Sequence, residues 1–445
     1  MSGDTKWAEM SPEQRREERF KRWLSPPDAP FLSPEIEKSY GERVTRFIKA
    51  IMLEEPDRVP VMLPSGFFPA SYGGSSFGTV MYDYDELRRT WVKFLRDFDM
   101  DSFASPALVY PGRVFEMLDY KLMQWPGHGL GKDAPSYQYV EGEYMLPDEY
   151  DALIKEPFDY LVRTWLPRTA GAFAGFQKLG PMPLLENLPV FYISRFADPE
   201  VRASVLALLD AAQEGAKWAS AVADVGRAAL EAGIPALYGG RSRAPFDFLG
   251  DSLRGTKGIM MDMYRRPDKL QEALERLSPI IVDRAVAAVG LSGSPLVTIT
   301  LHKGAGGFMS GKQFETFYWP SLKKVMLGLI EQGLVPMPFA EGDYMPRLDV
   351  IRDMPRGSTV WYFEAVDMAK AKEIVGGDNC IAGNLPASLL CTGTPGDVKE
   401  GCRRLIEACG PGGGYILAGG AAIDEGNPEN LRAMMEAARE YGVYG

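Results

Sequence analysis

The sequence predicts an α/β protein: a (β/α)8 TIM barrel with an N-terminal helical arm and a large, mostly helical insertion after the second strand. Three observations predict it. Eight short apolar runs alternate with helical patterns, the layout of a parallel sheet wrapped by helices. Three of these runs end on ionisable side chains: residues 296–301 lead into His302, residues 335–339 into Glu341 and residues 359–363 into Glu364. In a barrel, strand ends converge on one mouth, where chemistry is done. Finally, no G-x-G-x-x-G follows the first run, which disfavours a doubly wound dinucleotide fold.

Taken in order, residues 1–45 form the arm. Ser11-Pro12-Glu13-Gln14 is an N-cap, first-turn proline and capping-box pattern, and Ser33-Pro34-Glu35 repeats the cap and proline. The charge run at 14–22 reads as a solvated helix face, or else as a dimer-embracing or lid segment. The barrel domain occupies 46–445. Its expected strands are 59–63, 101–105, 236–239, 296–301, 335–339, 359–363, 380–383 and 414–418. Residues 107–235 are too long for a connection and read as an insertion covering one end of the barrel, with a hairpin near 137–145 and an Ala-rich helix over 203–232. Helices are expected over 85–98, 267–290 and 314–331. In the last, Phe314, Phe317, Tyr318, Leu322, Val325, Met326 and Leu329 recur at steps of three and four. Thr394-Pro395 and Asn427-Pro428 start helices, and Gly410 and Gly442 end them.

Composition removes several classes. A net charge of −11 with pI near 5.0 argues against nucleic-acid binding, which needs a basic surface, and offers no attraction to anionic lipid. No apolar run approaches the length of a spanning helix, and the start of the chain lacks a secretion-type apolar segment, so a cytoplasmic location is expected. The four cysteines form no C-x-x-C pair, which disfavours a zinc ribbon or finger; Cys402 and Cys409 read as core thiols on one helix. With only His128 and His302 present, a three-histidine metal site within one chain is impossible.

Several segments resemble the uroporphyrinogen decarboxylase superfamily. They are Arg46-x-x-x-Ala50 with Pro56-Asp57-Arg58-Val59-Pro60-Val61, then Ala305-Gly306-Gly307-Phe308-Met309-Ser310 leading to Phe314 and Trp319-Pro320. In the tail they are Gly383-Asn384-Leu385-Pro386, Thr394-Pro395 with Val398, Gly413-Gly414-Tyr415-Ile416-Leu417, and Asn430-Leu431. The resemblance implies a (β/α)8 barrel and one of two activities, tetrapyrrole decarboxylation or cobalamin-linked methyl transfer. Decarboxylases of this kind carry an arginine-rich loop after the first strand. Here that loop, 64–72, contains no arginine, whereas a polycarboxylate needs several guanidinium forks. The methyltransferase branch usually places His-x-Cys-Gly at the fifth strand end and a Cys-Gly after the last. The corresponding residues here are Phe339, Glu341, Gly342 and Gly420-Ala421, so the usual zinc ligands are replaced.

Glu341 therefore carries alternatives. With His302, and with Glu364 or Asp343, it would bind zinc or another divalent metal. Without a metal, a buried Glu341 of raised pKa would act as general acid, protonating an ether oxygen as methyl leaves for a corrinoid. It also reads as a hydrogen-bonded structural carboxylate, and His302 as a satisfied strand-end histidine. Tyr344 and Asp343 complete the catalytic candidates. Arg241 and Arg243, after the third run, would hold a substrate carboxylate or cofactor phosphate, or else form local ion pairs. Phe67, Phe68, Phe246, Phe248, Phe339 and Tyr344 would give the mouth an apolar lining, with Asn384 and Gly420 as further substrate contacts. The expected reaction moves a methyl group between a small organic substrate, such as an aromatic ether, and a corrinoid carried on a partner protein, since no D-x-H-x-x-G motif occurs. The alternatives are a lyase acting on a tetrapyrrole or other carboxylate and a non-catalytic ligand-binding barrel. A homodimer is compatible with the arm.

Overall fold

Strands buried on both faces organise the molecule. The computed structural model describes residues 7–27, 29–182, 188–290 and 293–445; residues 1–6, 28, 183–187 and 291–292 lie outside them. Seven parallel strands form one sheet: β1 Val61–Met62, β2 Gly240–Arg243, β3 Leu296–Leu301, β4 Val335–Asp343, β5 Val360–Ala365, β6 Cys380–Leu385 and β7 Tyr415–Gly419. Their spatial order is β1-β7-β6-β5-β4-β3-β2, a barrel-like succession in which the last strand returns to the first. Odd and even positions separate into two cores, as a period of two requires. Val297, Ile299, Leu301, Trp361, Phe363, Ile381 and Leu417 pack toward the helices. Met62, Met337, Val360, Tyr362, Ala382 and Ala418 pack toward the interior.

The expected second strand is reduced to one parallel bridge, Phe103 to Ala236. Beside it the buried Asp101 stands in for a ladder: its Oδ2 accepts the Val61 N–H at 2.9 Å, and its oxygens also accept from Arg58 (2.6 and 2.7 Å) and Arg46 (3.0 Å). The third strand lies later than expected, at Gly240–Arg243 and not at 236–239. Its Arg-Ser-Arg sequence has no apolar alternation to announce it.

Two helices make the arm, α1 Pro12–Leu24 and α2 Pro34–Ile51, and the second runs through the boundary expected at residue 45. Ser11 and Gln14 form the capping box reciprocally. The charge run is not simply solvated. Arg15 donates to the Glu331 carbonyl at 2.8 Å, Arg16 to Gly357 at 2.7 Å, and Arg19 to Gln332 and Gly290, both at 2.8 Å. All four carbonyls lie in the turns leading into or before strands, at their N-terminal ends. Burial depresses the Arg19 guanidinium to about 10. Trp23 and Phe47, buried behind it, join the interior core. The arm thus closes the end of the sheet remote from His302 and Glu341.

The helices start and stop where their caps place them: Asp367 accepts from the Lys370 N–H, Thr394 from Asp397 and Asn427 from Glu429. Cys402 and Cys409 are buried on Pro395–Cys409. The helix expected from 314 opens with a wide π-type turn, Phe314–Tyr318, before Trp319–Glu331. Between residues 107 and 235 lie three short strands, Met123–Pro126, Gly129–Leu130 and Gln138–Tyr139, and the long helix Pro199–Glu231. No helix among the described residues is long and apolar enough to cross a membrane.

Candidate functional site

β3 and β4 are neighbours with Thr300 opposite Phe339 and Leu301 opposite Ala340. This register brings His302, just past β3, against Glu341 near the end of β4. The His302 Nε2 lies 4.0 Å from a Glu341 oxygen. The other ring nitrogen, Nδ1, is held at 2.5 Å by the Asp251 carboxylate, which fixes the ring and aims Nε2 at Glu341. Asp251 also takes Lys303 Nζ at 2.7 Å and Arg243 Nη1 at 3.1 Å.

Behind this row sits Asp247, fully buried. Its oxygens accept the backbone N–H groups of His302 and Lys303, both at 3.0 Å, and the Tyr318 hydroxyl at 2.6 Å. It clamps the turn that carries the histidine. Both aspartates come from the segment Pro245–Arg254, where a short helix passes into a wide π-type turn, a feature frequent at functional sites.

The electrostatics follow from burial and crowding. Burial pushes the Asp247 carboxyl up to about 6, and the neighbouring Asp251 charge adds to this. Burial also raises the Glu341 carboxyl; the His302 imidazole opposes that shift, while Glu364, Asp247 and Asp251 reinforce it. For His302, burial alone would lower the pKa, but the Asp251 hydrogen bond and the surrounding acids carry it above the ordinary value. Asp251 is held below the ordinary value, against its burial, by His302 and Lys303.

The remaining expected residues divide. Glu364 accepts the Gly342 N–H at 2.6 Å and lines an open depression of about 690 Å3 with Asn384, Gly420, Pro386 and Arg404. Asn384 donates there to the Val366 carbonyl at 2.8 Å. Gly420 admits no side chain, since a Cβ would stand 2.9 Å from the Glu364 carbonyl oxygen. Phe339 lies partly open on the interior face, its ring 4.4 Å from that of Tyr362. Phe67 packs on Phe77 and Tyr137 at 4.4 and 5.6 Å. Arg241 is exposed to solvent, and Arg243 half-exposed.

Four expectations meet a different environment. Phe68 is buried against Phe94 and Tyr72, and Phe246 is buried against Tyr318. Both side chains face the helices, so neither lines the mouth. Tyr344 is fully buried as well: the β4 register slips between Ala340 and Asp343, with Gly342 at φ +78°, and this turns Tyr344 back into the core. Asp343 is exposed and caps the turn, accepting the Met345 N–H at 2.9 Å. His128 lies far along the insertion, 2.8 Å from Glu116.

As a metal site the donor set falls short. One imidazole nitrogen and one carboxylate face each other, while catalytic zinc takes three protein ligands. Among the described residues no group of three or more His, Cys, Asp or Glu side chains is arranged to hold a metal ion. The residues do not fit a protein-held zinc.

Sequence reasoning missed Asp247, Asp251 and Lys303. A signal existed: Phe246-Asp247-Phe248-Leu249-Gly250-Asp251 places two acids four apart in an apolar helix start, hence on one face.

A parallel, barrel-like sheet with an acid–imidazole cluster at its strand ends defines the class of α/β barrels whose sites sit at that face. Residues 199–441 match the family description "Uroporphyrinogen decarboxylase (URO-D)", and the chain belongs to this family. A uroporphyrinogen decarboxylase from Danio rerio is 25% identical over 183 residues, 40% of this chain and 49% of the relative. The chain thus spans about half the length of that curated relative. A methyltransferase from Methanosarcina mazei shares the fold with a TM-score of 0.57 at 17% identity, over 89% of this chain and 98% of that one.

Proposed function

We propose that this protein is a methyltransferase that moves a methyl group from a small organic ether, aromatic in its simplest form, to a corrinoid carried by a partner protein. The barrel is read as complete, with the Phe103 bridge as its eighth strand position and the segment 107–235 as a cover over one end. The observation that carries the proposal is Glu341: a half-buried carboxyl of raised pKa, at a strand end, facing an imidazole that Asp251 holds in place.

The chemistry asks for such a group. As the carbon–oxygen bond breaks, its electron pair goes to oxygen; an alkoxide leaves poorly without a proton, and a phenolate, though a better leaving group, still gains from one. Glu341 delivers a proton to that oxygen, and the carbon takes its new bond from the electron pair of a reduced corrinoid cobalt, the methyl acceptor. A general acid works best when its pKa lies near the working pH, and burial moves Glu341 in that direction. His302, whose pKa the Asp251 carboxylate holds above the ordinary value, is placed to return a proton to Glu341. Asp251 holds the imidazole, and Asp247 holds the backbone that carries it. Phe67 and Phe339 supply apolar surface for a ring.

The fold shared with a methyltransferase supports this reading, as does the loop 64–72, which presents Phe67 and no arginine. The test mixes the protein, a reduced corrinoid protein and a series of methyl ethers and follows the cobalt absorption spectrum. Methylation of the corrinoid with release of the free hydroxyl compound is expected; no spectral change with any ether or thiol contradicts the proposal. The similarity to a decarboxylase favours a second reading, a lyase acting on a tetrapyrrole or other carboxylate. Release of carbon dioxide from uroporphyrinogen would establish it.

A further inference from the structure

The strand registers say which way the two arginines of β2 point. Arg241 pairs with Thr298 and Arg243 with Thr300. On β3 the alternate residues Val297, Ile299 and Leu301 face the helices, so the threonines, and the arginines level with them, face the interior. There the two cations differ. Arg243 is tied to Asp251 at 3.1 Å, whereas the side chain of Arg241 makes no hydrogen bond or ion pair with any described residue. Tyr238 and Tyr137 both feel its charge. Tyr137, in the segment 107–235, packs tilted against Tyr110 at 5.3 Å and edge-on against Phe67 at 5.6 Å, which places an aromatic wall beside the free cation.

From these observations we infer that Arg241 anchors a carboxylate on the substrate, so that the methyl donor is an aromatic methyl ether whose ring bears one carboxylate. The inference rests on the methyltransferase reading. A guanidinium that faces the mouth, open to solvent and with no side-chain partner, is free to take a ligand, and its planar fork matches a carboxylate in two parallel hydrogen bonds. One free guanidinium in a chain of net charge −11 suits a monoanion and not a polycarboxylate. The reach is right as well. Glu341 lies two strands away and four residues further along, so at about 4.8 Å per strand and 3.3 Å per residue the two Cα atoms stand on the order of 16 Å apart. The Arg and Glu side chains reduce that gap to roughly one substituted aromatic ring. The carboxylate end is then held at Arg241, the ring lies along Tyr137 and Phe67, and the ether oxygen meets Glu341.

The test is calorimetric binding of two probes to the full chain, para-methoxybenzoate and the uncharged methoxybenzene. The benzoate is expected to bind at least about tenfold more tightly, the scale of one charged hydrogen-bonded contact. Arg241→Gln removes that advantage and leaves methoxybenzene binding unchanged; Arg241→Lys restores part of it. Equal affinity for both probes in the native chain overturns the inference, and so does an Arg241→Gln variant that weakens both equally. Addition of a reduced corrinoid protein separates the two claims. Arg241-dependent binding without methyl transfer upholds the anchor and removes the methyltransferase reading. Methyl transfer from methoxybenzene with no preference for the benzoate upholds that reading and overturns the anchor.

Discussion

At the N-terminal ends of the strands, arginines are completed by the chain itself: Arg15, Arg16 and Arg19 reach from α1 to backbone carbonyls in the turns below the sheet, and Trp23 seals the space behind them. At the C-terminal ends, charged groups are completed by one another. Asp247, Asp251, Lys303, His302 and Glu341 form one contiguous row, and Arg241 is left over. A charge bonded to uncharged carbonyls is fixed in its protonation state and rigid. Charges bonded to charges shift each other's pKa values, and a proton can move among them. The first arrangement serves stability; the second is suited to chemistry, in line with the clustering of perturbed groups at functional sites.

The sharpest way to break this contrast is to alter one residue at each end. Glu341→Gln keeps size and shape but cannot donate a proton; methyl-transfer rates are expected to fall about a hundredfold to ten-thousandfold, with the urea midpoint unchanged. Arg19→Ala should do the reverse. It leaves the Gln332 and Gly290 carbonyls without their donor, at a cost of roughly 2–4 kcal/mol in unfolding free energy, while activity per folded molecule stays at the native level. If Arg19→Ala lowered the turnover of folded protein, or Glu341→Gln lowered stability instead of rate, the division between the ends would be wrong.

A smaller effect is expected at Asp251→Asn. Without the carboxylate, His302 loses its anchor and the charge that raises its pKa, so kcat should fall on the order of tenfold with KM little changed, as for a positioning residue. An NMR titration of His302 should move to lower pH; an unmoved titration would contradict the role. The smallest effect concerns Asp247. Its folded pKa, about 6, lies above the ordinary 3.8. Its contribution to stability is therefore fully present below the ordinary value and lost as pH rises through about 6. Relative to Asp247→Asn, the native chain should lose unfolding free energy across that window and level off above it. A difference that grew with pH would show the carboxylate to be stabilised in its charged form.

Much of the sheet could be read from the chain because its strands alternate between two apolar cores or end abruptly on ionisable groups. Leu296–Leu301 was legible to the residue. Where a strand carries charged or polar side chains the signal vanishes: Gly240–Arg243 reads as a loop because Arg241, Ser242 and Arg243 offer no apolar period, and 101–105 shrinks to one bridge because Asp101 substitutes for backbone pairing. Within the candidate site, the placement of His302 and Glu341 at neighbouring strand ends was legible from position alone. Asp247 and Asp251 were not, since 51 residues separate Asp251 from its imidazole partner and only the folded β2–β3 unit brings them together. Phe68, Phe246 and Tyr344 illustrate the converse: an aromatic near a strand end looks the same in sequence whether it faces a ligand or the helices.

The most direct test of the central claim, that Glu341 is the proton donor at the open end of the sheet, is the pH dependence of methyl transfer from para-methoxybenzoate to a reduced corrinoid protein. The account predicts activity that declines as pH rises through the Glu341 pKa, above the ordinary carboxylate value of 4.5, with this limb absent from whatever activity remains in Glu341→Gln. The same alkaline limb in the variant, at native rates, would contradict it.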